Sequence, residues 1–554
     1  MKTLFTIIAF SLYVNSIFTQ SEMIDINNMN ITITPTNLLF FNSDTVYNPY
    51  FETIKGSGQS TVFATATWMF GQDATNQLKG SYEKFIDSSN RASSTGPLTC
   101  IPGSGTGGLR DFGPATITQS EIAKWNKVFC VNKWEIDLFL RWHKSSNKAI
   151  DFPGYTIPTN ITDWPAHGDV SLSQDYYLAP FYDSDADGVY NPANGDYPCI
   201  KGDKYCWYII NDKGYVHQTE PIGVEMHVEV YAYDRDSLNP LSNAIFIGKD
   251  IINRSTQTLF NFRVGQYSDL DIGCSHDDYI GSMPSLNSYY GYNADATDDN
   301  CSGGKTPYGS NPPAQGVTFL NKTMDKSMYY NNSAGNQGDP DNPIEAYRYL
   351  YGKWKDGTPL NYGGNGFPSS MGGSSTSGIV YDYMFPYITP TGMAPWTEIS
   401  AWNPAGDRRM LGSVDPITLT PGQVHEVDIA FVFSRSDSGN LKSVDKLYQD
   451  IQSVQSFYND SIPATCQAFV LSIPKENLIS AKIYPNPTSN YFIIETNVDI
   501  LKADITSIDG KLIESEISLE KSSKIDVSNW QKGMYLIRIY NDQGNNKVLR
   551  IIKN

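Results

Sequence analysis

The chain has 554 residues, 40% of them hydrophobic and 18% charged, with a formal net charge of −18 at pH 7. That composition excludes a disordered chain and a membrane-embedded one, and at about 100–200 residues per domain it allows two or three cores. The 59 acidic residues outnumber the 41 basic ones and no Lys/Arg cluster occurs, which excludes a nucleic-acid partner and suits solubility or divalent-cation sites instead.

Residues 1–20 read as an export signal. Lys2 supplies a positive start and Leu4 to Val14 a short apolar run, too short to cross a bilayer. No later stretch approaches eighteen uninterrupted apolar residues, so no transmembrane segment is expected in the mature chain. Residues 21–461 form the body. The 36 Tyr and 25 Phe suit broad sheet surfaces, and the 44 Gly and 31 Pro imply many turns. The expected class is therefore mainly β with a few helices, arranged as a large β-sandwich-type body.

Within the body, Gly103 to Pro114 is a glycine-rich loop. A helix is expected from Thr118 onward, because Ile122, Trp125, Val128 and Phe129 recur at helical spacing. A second follows over Asn132 to Lys144, with Trp134, Leu138 and Trp142 spaced by four. From residue 200 to 270 the pattern turns to strands, and residues 272–400 are rich in loop formers. Strands resume where Val427, Ile429, Phe431 and Phe433 alternate. An amphipathic helix with Leu441, Val444, Leu447, Ile451, Val454 and Phe457 on one face closes the body.

Export permits disulfides. The cysteines are Cys100, Cys130, Cys199, Cys206, Cys274, Cys301 and Cys466, an odd number. Cys199–Cys206 would clip a hairpin, and Cys100–Cys130 and Cys274–Cys301 are the next most local pairs; spacing does not decide among connectivities. No CxxC, HExxH or GxSxG occurs, and Gly103-Ser104-Gly105-Thr106-Gly107-Gly108 lacks the lysine of a phosphate loop.

Three acidic patterns carry chemistry. In Asp183-Ser184-Asp185-Ala186-Asp187-Gly188, alternating carboxylates before a glycine gather hard oxygen donors around one point, as a Ca²⁺ loop requires. Position twelve is Asn194 rather than Glu, so the loop is not an EF-hand; Asp183, Asp185, Asp187 and Asp196 are the expected metal ligands and Ca²⁺ the expected ion. The bland alternative is an Asp/Gly turn capping its own amides. The second pattern is Asp269, Asp271, Asp277 and Asp278 with His276. It suits a second cation site, an ordered loop, or the paired carboxylates of a secreted hydrolase acting on polysaccharide or protein. The third, Glu225, His227 and Glu229, falls on one strand face and reads as solvated rather than metal-binding.

Residues 462–476 read as a linker, and residues 477–554 as a small Ig-like β-sandwich of six or seven strands with a hairpin signal at Asp509-Gly510. In order, this segment holds Tyr484-Pro485-Asn486-Pro487, the Asp509-Gly510 turn, Lys532-Gly533-Met534-Tyr535-Leu536-Ile537-Arg538-Ile539 and a basic terminal strand from Lys547 to Lys553. It resembles the type A C-terminal sorting domain of the Bacteroidetes type IX secretion system. The resemblance implies a signal peptide for the inner membrane, then reading of the tail by the outer-membrane type IX machinery. It further implies tail removal, and release of the cargo or its attachment to surface lipopolysaccharide.

The body in turn resembles a recurrent exported Bacteroidetes family without an assigned activity, through Ala179 to Asp203, Glu220 to Tyr233, the Asp269–Asp295 region, Tyr308 to Leu320 and Pro404 to Gly422. That resemblance brings no catalytic residues. The expected function is accordingly a secreted or cell-surface protein whose body is a non-enzymatic binding or structural module, with glycans or lipopolysaccharide as partner class and the secreted hydrolase as the alternative.

Overall fold

The computed structural model describes residues 21–42, 49–84, 93–98, 117–213, 221–299, 301, 303–368, 377–461, 481–496, 501–507, 511–540 and 546–554. The expected signal at 1–20, the linker at 462–476, the Gly103–Pro114 loop and the Asp509-Gly510 turn lie outside the described residues. The chain divides into two units, Met1–Ala468 and Phe469–Asn554.

In the first unit a nine-stranded antiparallel sheet runs in the order Asp278–Met283, Ser288–Asn293, Ala314–Phe319, Val424–Ser434, Ala244–Asn253, Val224–Ala232, Lys204–Asn211 and Ser94–Thr95, with Phe129–Asn132 also pairing Lys204–Asn211. A six-stranded sheet holds Met324–Asn331, Arg408–Val414, Leu259–Asp269, Ala64–Gln72 and Leu78–Ser81, plus Ile417–Leu419 on Leu259–Asp269. Side chains alternate across a strand, and that alternation builds two cores here. Cys206, Tyr208 and Ile210, with Ile245, Ile247, Ile429 and Phe431, join Trp68, Phe70, Val264 and Tyr267 of the smaller sheet in one apolar cluster. The intervening Tyr205, Trp207, Ile209, Phe246, Ala430 and Val432 face the other way, into a second cluster. The central strands are therefore apolar on both faces, which explains their unbroken hydrophobic runs.

The second cluster is closed by the helix Asn440–Ser461, through Val444, Leu447, Ile451 and Val454. Leu441, expected on that face, is half exposed. The helix expected from Thr118 is only Gln119–Lys124, capped by the Thr118 side chain, and Phe129 already belongs to the strand Phe129–Asn132. Pairing with Lys204–Asn211 and the Cys130–Cys206 disulfide hold that segment extended, overriding its helical spacing. In Lys133–Lys144 the buried face is Ile136 and Phe139, while Trp134 faces solvent. A further helix, Pro343–Leu350, lies within the loop-rich stretch; Asn342 at the N-cap, Pro343 at the first position and Glu345 behind it start it.

The cysteine pairings expected from proximity are corrected in part. Cys130 pairs with Cys206, so neither Cys100–Cys130 nor Cys199–Cys206 forms. Strand register places Cys130 opposite Cys206, which local spacing does not reveal. Cys274–Cys301 forms as expected, and Cys199 is also disulfide-bonded.

The second unit has a three-stranded sheet of Ala481–Tyr484, Tyr491–Thr496 and Ser522–Asp526, and a four-stranded sheet of Leu512–Leu519, Leu501–Ser507, Gly533–Tyr540 and Asn546–Lys553. Phe492 and Ile494 from the first share a core with Ala503, Ile505, Ile537 and Ile539 from the second. Asn486 of the Tyr-Pro-Asn-Pro motif clasps the terminal strand: its amide donates to the Arg550 carbonyl at 2.8 Å and its carbonyl accepts from the Ile552 amide at 3.0 Å. The two ends of the tail are thus one structural unit.

Candidate metal centre

The Asp183–Asp187 loop follows the short strand Phe181–Tyr182, which pairs with Tyr197–Pro198 and so closes the loop at its base. One carboxylate oxygen from each of Asp183, Asp185 and Asp187 lies within 4.8 Å of the others. Local geometry produces this convergence. Asp183 accepts the amides of Ala186 and Gly188, both at 2.7 Å, and Asp187 accepts that of Val189 at 2.7 Å. Ala186 and Gly188 both sit at positive φ, 60° and 78°; a side chain at Gly188 would also press on the Tyr177 hydroxyl. The left-handed pair folds the alternating residues onto one side.

Asp196 has a different place. It is fully buried, and its two oxygens accept the Ser184 and Asn191 amides at 2.8 Å each. Burial, followed by the charges of Asp183 and Asp185, pushes its carboxyl up against the two amides that hold it down. It staples the loop from beneath and lies outside the three-carboxylate group. Asn194, the residue at position twelve, reaches that group instead: its amide nitrogen is 2.9 Å from an Asp185 oxygen. Rotating the amide would offer its carbonyl oxygen to the same point. His167 anchors the far side. Its Nε2 accepts the Tyr190 amide at 2.8 Å and its Nδ1 meets the Tyr176 carbonyl at 3.1 Å. Burial lowers its pKa, so the neutral ring that accepts at Nε2 is the stable form.

The second acidic pattern is a buried network rather than an open cleft. Asp269 ends the strand Leu259–Asp269, and Arg409 stands opposite it in register. Asp269 and Asp278 are each 1% exposed, so a substrate does not reach their carboxylates. Asp269, Asp271 and Asp407 converge within 4.8 Å. Arg409 pairs with Asp407 at 2.5 Å and Asp269 at 3.4 Å, and Lys305 pairs with Asp271. Asp407 is a member that sequence reading missed; it lies far along the chain and only strand pairing brings it in. Asp277 is half-buried beside the network, its carboxyl raised by burial.

The third pattern corrects an expectation. Glu225 and His227 are not on a solvated face but buried, hydrogen-bonded to each other at 2.8 Å. Arg254 binds Glu225 at 2.8 Å and Asp175 at 2.8 Å, and the Leu98 amide donates to Glu225 at 2.8 Å. Burial alone would raise the Glu225 carboxyl, but Arg254 and His227 outweigh it and hold it at about 2. Glu229 instead pairs with Lys201. Both faces of this sheet are covered, which is why polar residues at spacing two are inside.

Comparison with known proteins follows the same division of the chain. Residues 482–554 match the family of secretion system C-terminal sorting domains. The chain is thus a type IX secretion cargo, addressed to the cell surface or the extracellular space, and its tail engages the type IX machinery. No helix among the described residues is long and apolar enough to cross a membrane. No curated protein matches the chain. A solved polysaccharide lyase is similar over 59% of this chain and 34% of its own length, at 9% identity and a TM-score of 0.19, too slight a likeness to bear on the body's activity.

Proposed function

We propose that the body of this exported cargo is a non-enzymatic binding or structural module whose Asp183, Asp185 and Asp187 hold Ca²⁺, with Asp196 shaping the loop beneath them. The convergence of the three carboxylates within 4.8 Å is the observation that carries this reading. Two of the three are solvent-exposed, which suits a weak extracellular site with Kd of about 10⁻⁴–10⁻³ M. An N-terminal signal peptide over residues 1–20 supplies the first stage of export. A glycan is the partner class favoured by the rings left at the surface, Trp402 at 92% exposure and the stacked Tyr182–Tyr197 pair beside the loop.

Calorimetric titration of the full chain with Ca²⁺ tests the loop. One binding equivalent is expected to disappear in Asp185→Ala/Asp187→Ala while the circular dichroism spectrum is kept. An unchanged number of bound ions in that variant would refute the assignment.

A further inference from the structure

We propose that Asp269, Asp271 and Asp407 hold a second, buried divalent cation, of the hard oxygen-liganded kind, where the strands Leu259–Asp269 and Arg408–Val414 meet at their ends. This inference does not rest on the loop at residues 183–187. It begins from convergence: one oxygen of each carboxylate lies within 4.8 Å of the others. Convergence of acids alone is common, but here two further observations point to an occupant.

The first is an unmet acceptor. Asp269 is 1% exposed, and its Oδ1 is buried with no hydrogen-bond donor. Asp278, also 1% exposed, donates no help: its Oδ2 accepts the Ile272 amide at 3.0 Å, and its Oδ1 is likewise buried and unpartnered. Leaving a buried acceptor unmet costs about 1–3 kcal/mol, and more when it is charged. A cation satisfies such oxygens without needing a donor hydrogen.

The second is charge. Three carboxylates, Asp269, Asp271 and Asp407, meet two cationic side chains, Arg409 and Lys305, and Asp278 adds a fourth negative charge beside Asp271. Two negative charges are left over in a water-poor site, and one divalent cation balances them. Asp298 and Asp277, next to Asp278, add to the deficit, whereas Asp339, near Arg409, has Lys84 and Lys355 of its own to balance it. Carboxylate ligands of this type select Ca²⁺ or Mg²⁺ over softer metals. Protons are the competing way to remove the charge, since burial raises the Asp269, Asp271 and Asp278 carboxyls.

The test uses the full chain carrying Asp185→Ala/Asp187→Ala, which silences the loop. That protein is equilibrated with roughly millimolar Ca²⁺, separated from free ion and measured by elemental analysis. One Ca²⁺ per chain is expected. Adding Asp407→Asn is expected to weaken binding at least about 10-fold, the loss seen even for second-layer metal contacts, and to remove the Ca²⁺-dependent rise in melting temperature. A folded parent variant without bound Ca²⁺ would overturn the proposal in favour of protons, as would an Asp407→Asn chain binding Ca²⁺ as tightly as its parent. Should Asp407→Asn fail to fold, the metal content of the parent variant decides the matter by itself. Failure here leaves the loop site standing, because the loop's ion is counted separately.

Discussion

The two groups of aspartates in the body use one residue type in opposite ways. At residues 183–187 the acids lie within five positions of each other, near water, and bind the amides of their own loop. At 269, 271 and 407 they are drawn from remote segments, two of them buried and Asp407 half-buried, and tied to Arg409 and Lys305. The first arrangement can be altered with little effect on the rest of the fold, since solvent screens its charges. In the second, each charge is a condition for the strand ends around it, because an unpaired buried charge is costly.

The sharpest way to break this contrast is Arg409→Met, which removes the guanidinium that Asp269 and Asp407 share. Urea unfolding should show a loss of about 3–5 kcal/mol, the range for removing one partner of a buried pair; a loss below about 1 kcal/mol would place this cluster with the exposed loop instead. Next comes Cys274→Ser/Cys301→Ser. That bridge spans a sequence separation of 27 beside the buried group, and its removal should cost about 3 kcal/mol by loop entropy, read as a lower urea midpoint. A smaller effect is expected in the loop: Asp183→Ala deletes the acceptor of two amides, a loss of about 1–2 kcal/mol. It should appear as faster hydrogen exchange at residues 186 and 188, with global unfolding nearly unchanged.

The mildest test is pH. His167 has a folded pKa below its ordinary value, chiefly through burial. In the window beneath about 6.5 the unfolded ring takes up a proton that the folded ring resists. Stability contributed by His167 is therefore full above that window and declines as pH falls through it, as the Nε2 acceptor for Tyr190 is lost. The protection of the Tyr190 amide, measured relative to its intrinsic exchange rate at each pH, should fall below pH 6.5 in the native chain, and His167→Asn should flatten that response.

The tail was legible from residues alone because its motifs are ordered short segments, and the structure explains their order: Asn486 near its start is hydrogen-bonded to Arg550 and Ile552 near its end. The strands of the body were legible from β-branched and aromatic runs, and the helix Asn440–Ser461 from its periodicity. The Asp183–Asp187 convergence was readable for the same reason, since a turn brings residues two and four apart together through backbone geometry. Helical spacing misled at Trp125 to Phe129, where pairing with a distant strand outweighed local preference.

Sequence by itself thus determined what nearest-neighbour chemistry controls: strand alternation, the long helix, the acidic loop and the ordered signals of the secretion tail. Tertiary structure alone decided the partners of Cys130 and Cys206, the burial of Glu225 and His227, and the meeting of Asp269, Asp271 and Asp407. These depend on which strands lie side by side and in what register. Register follows from burying whole faces of two sheets at once, a property of the assembled core that no single segment carries.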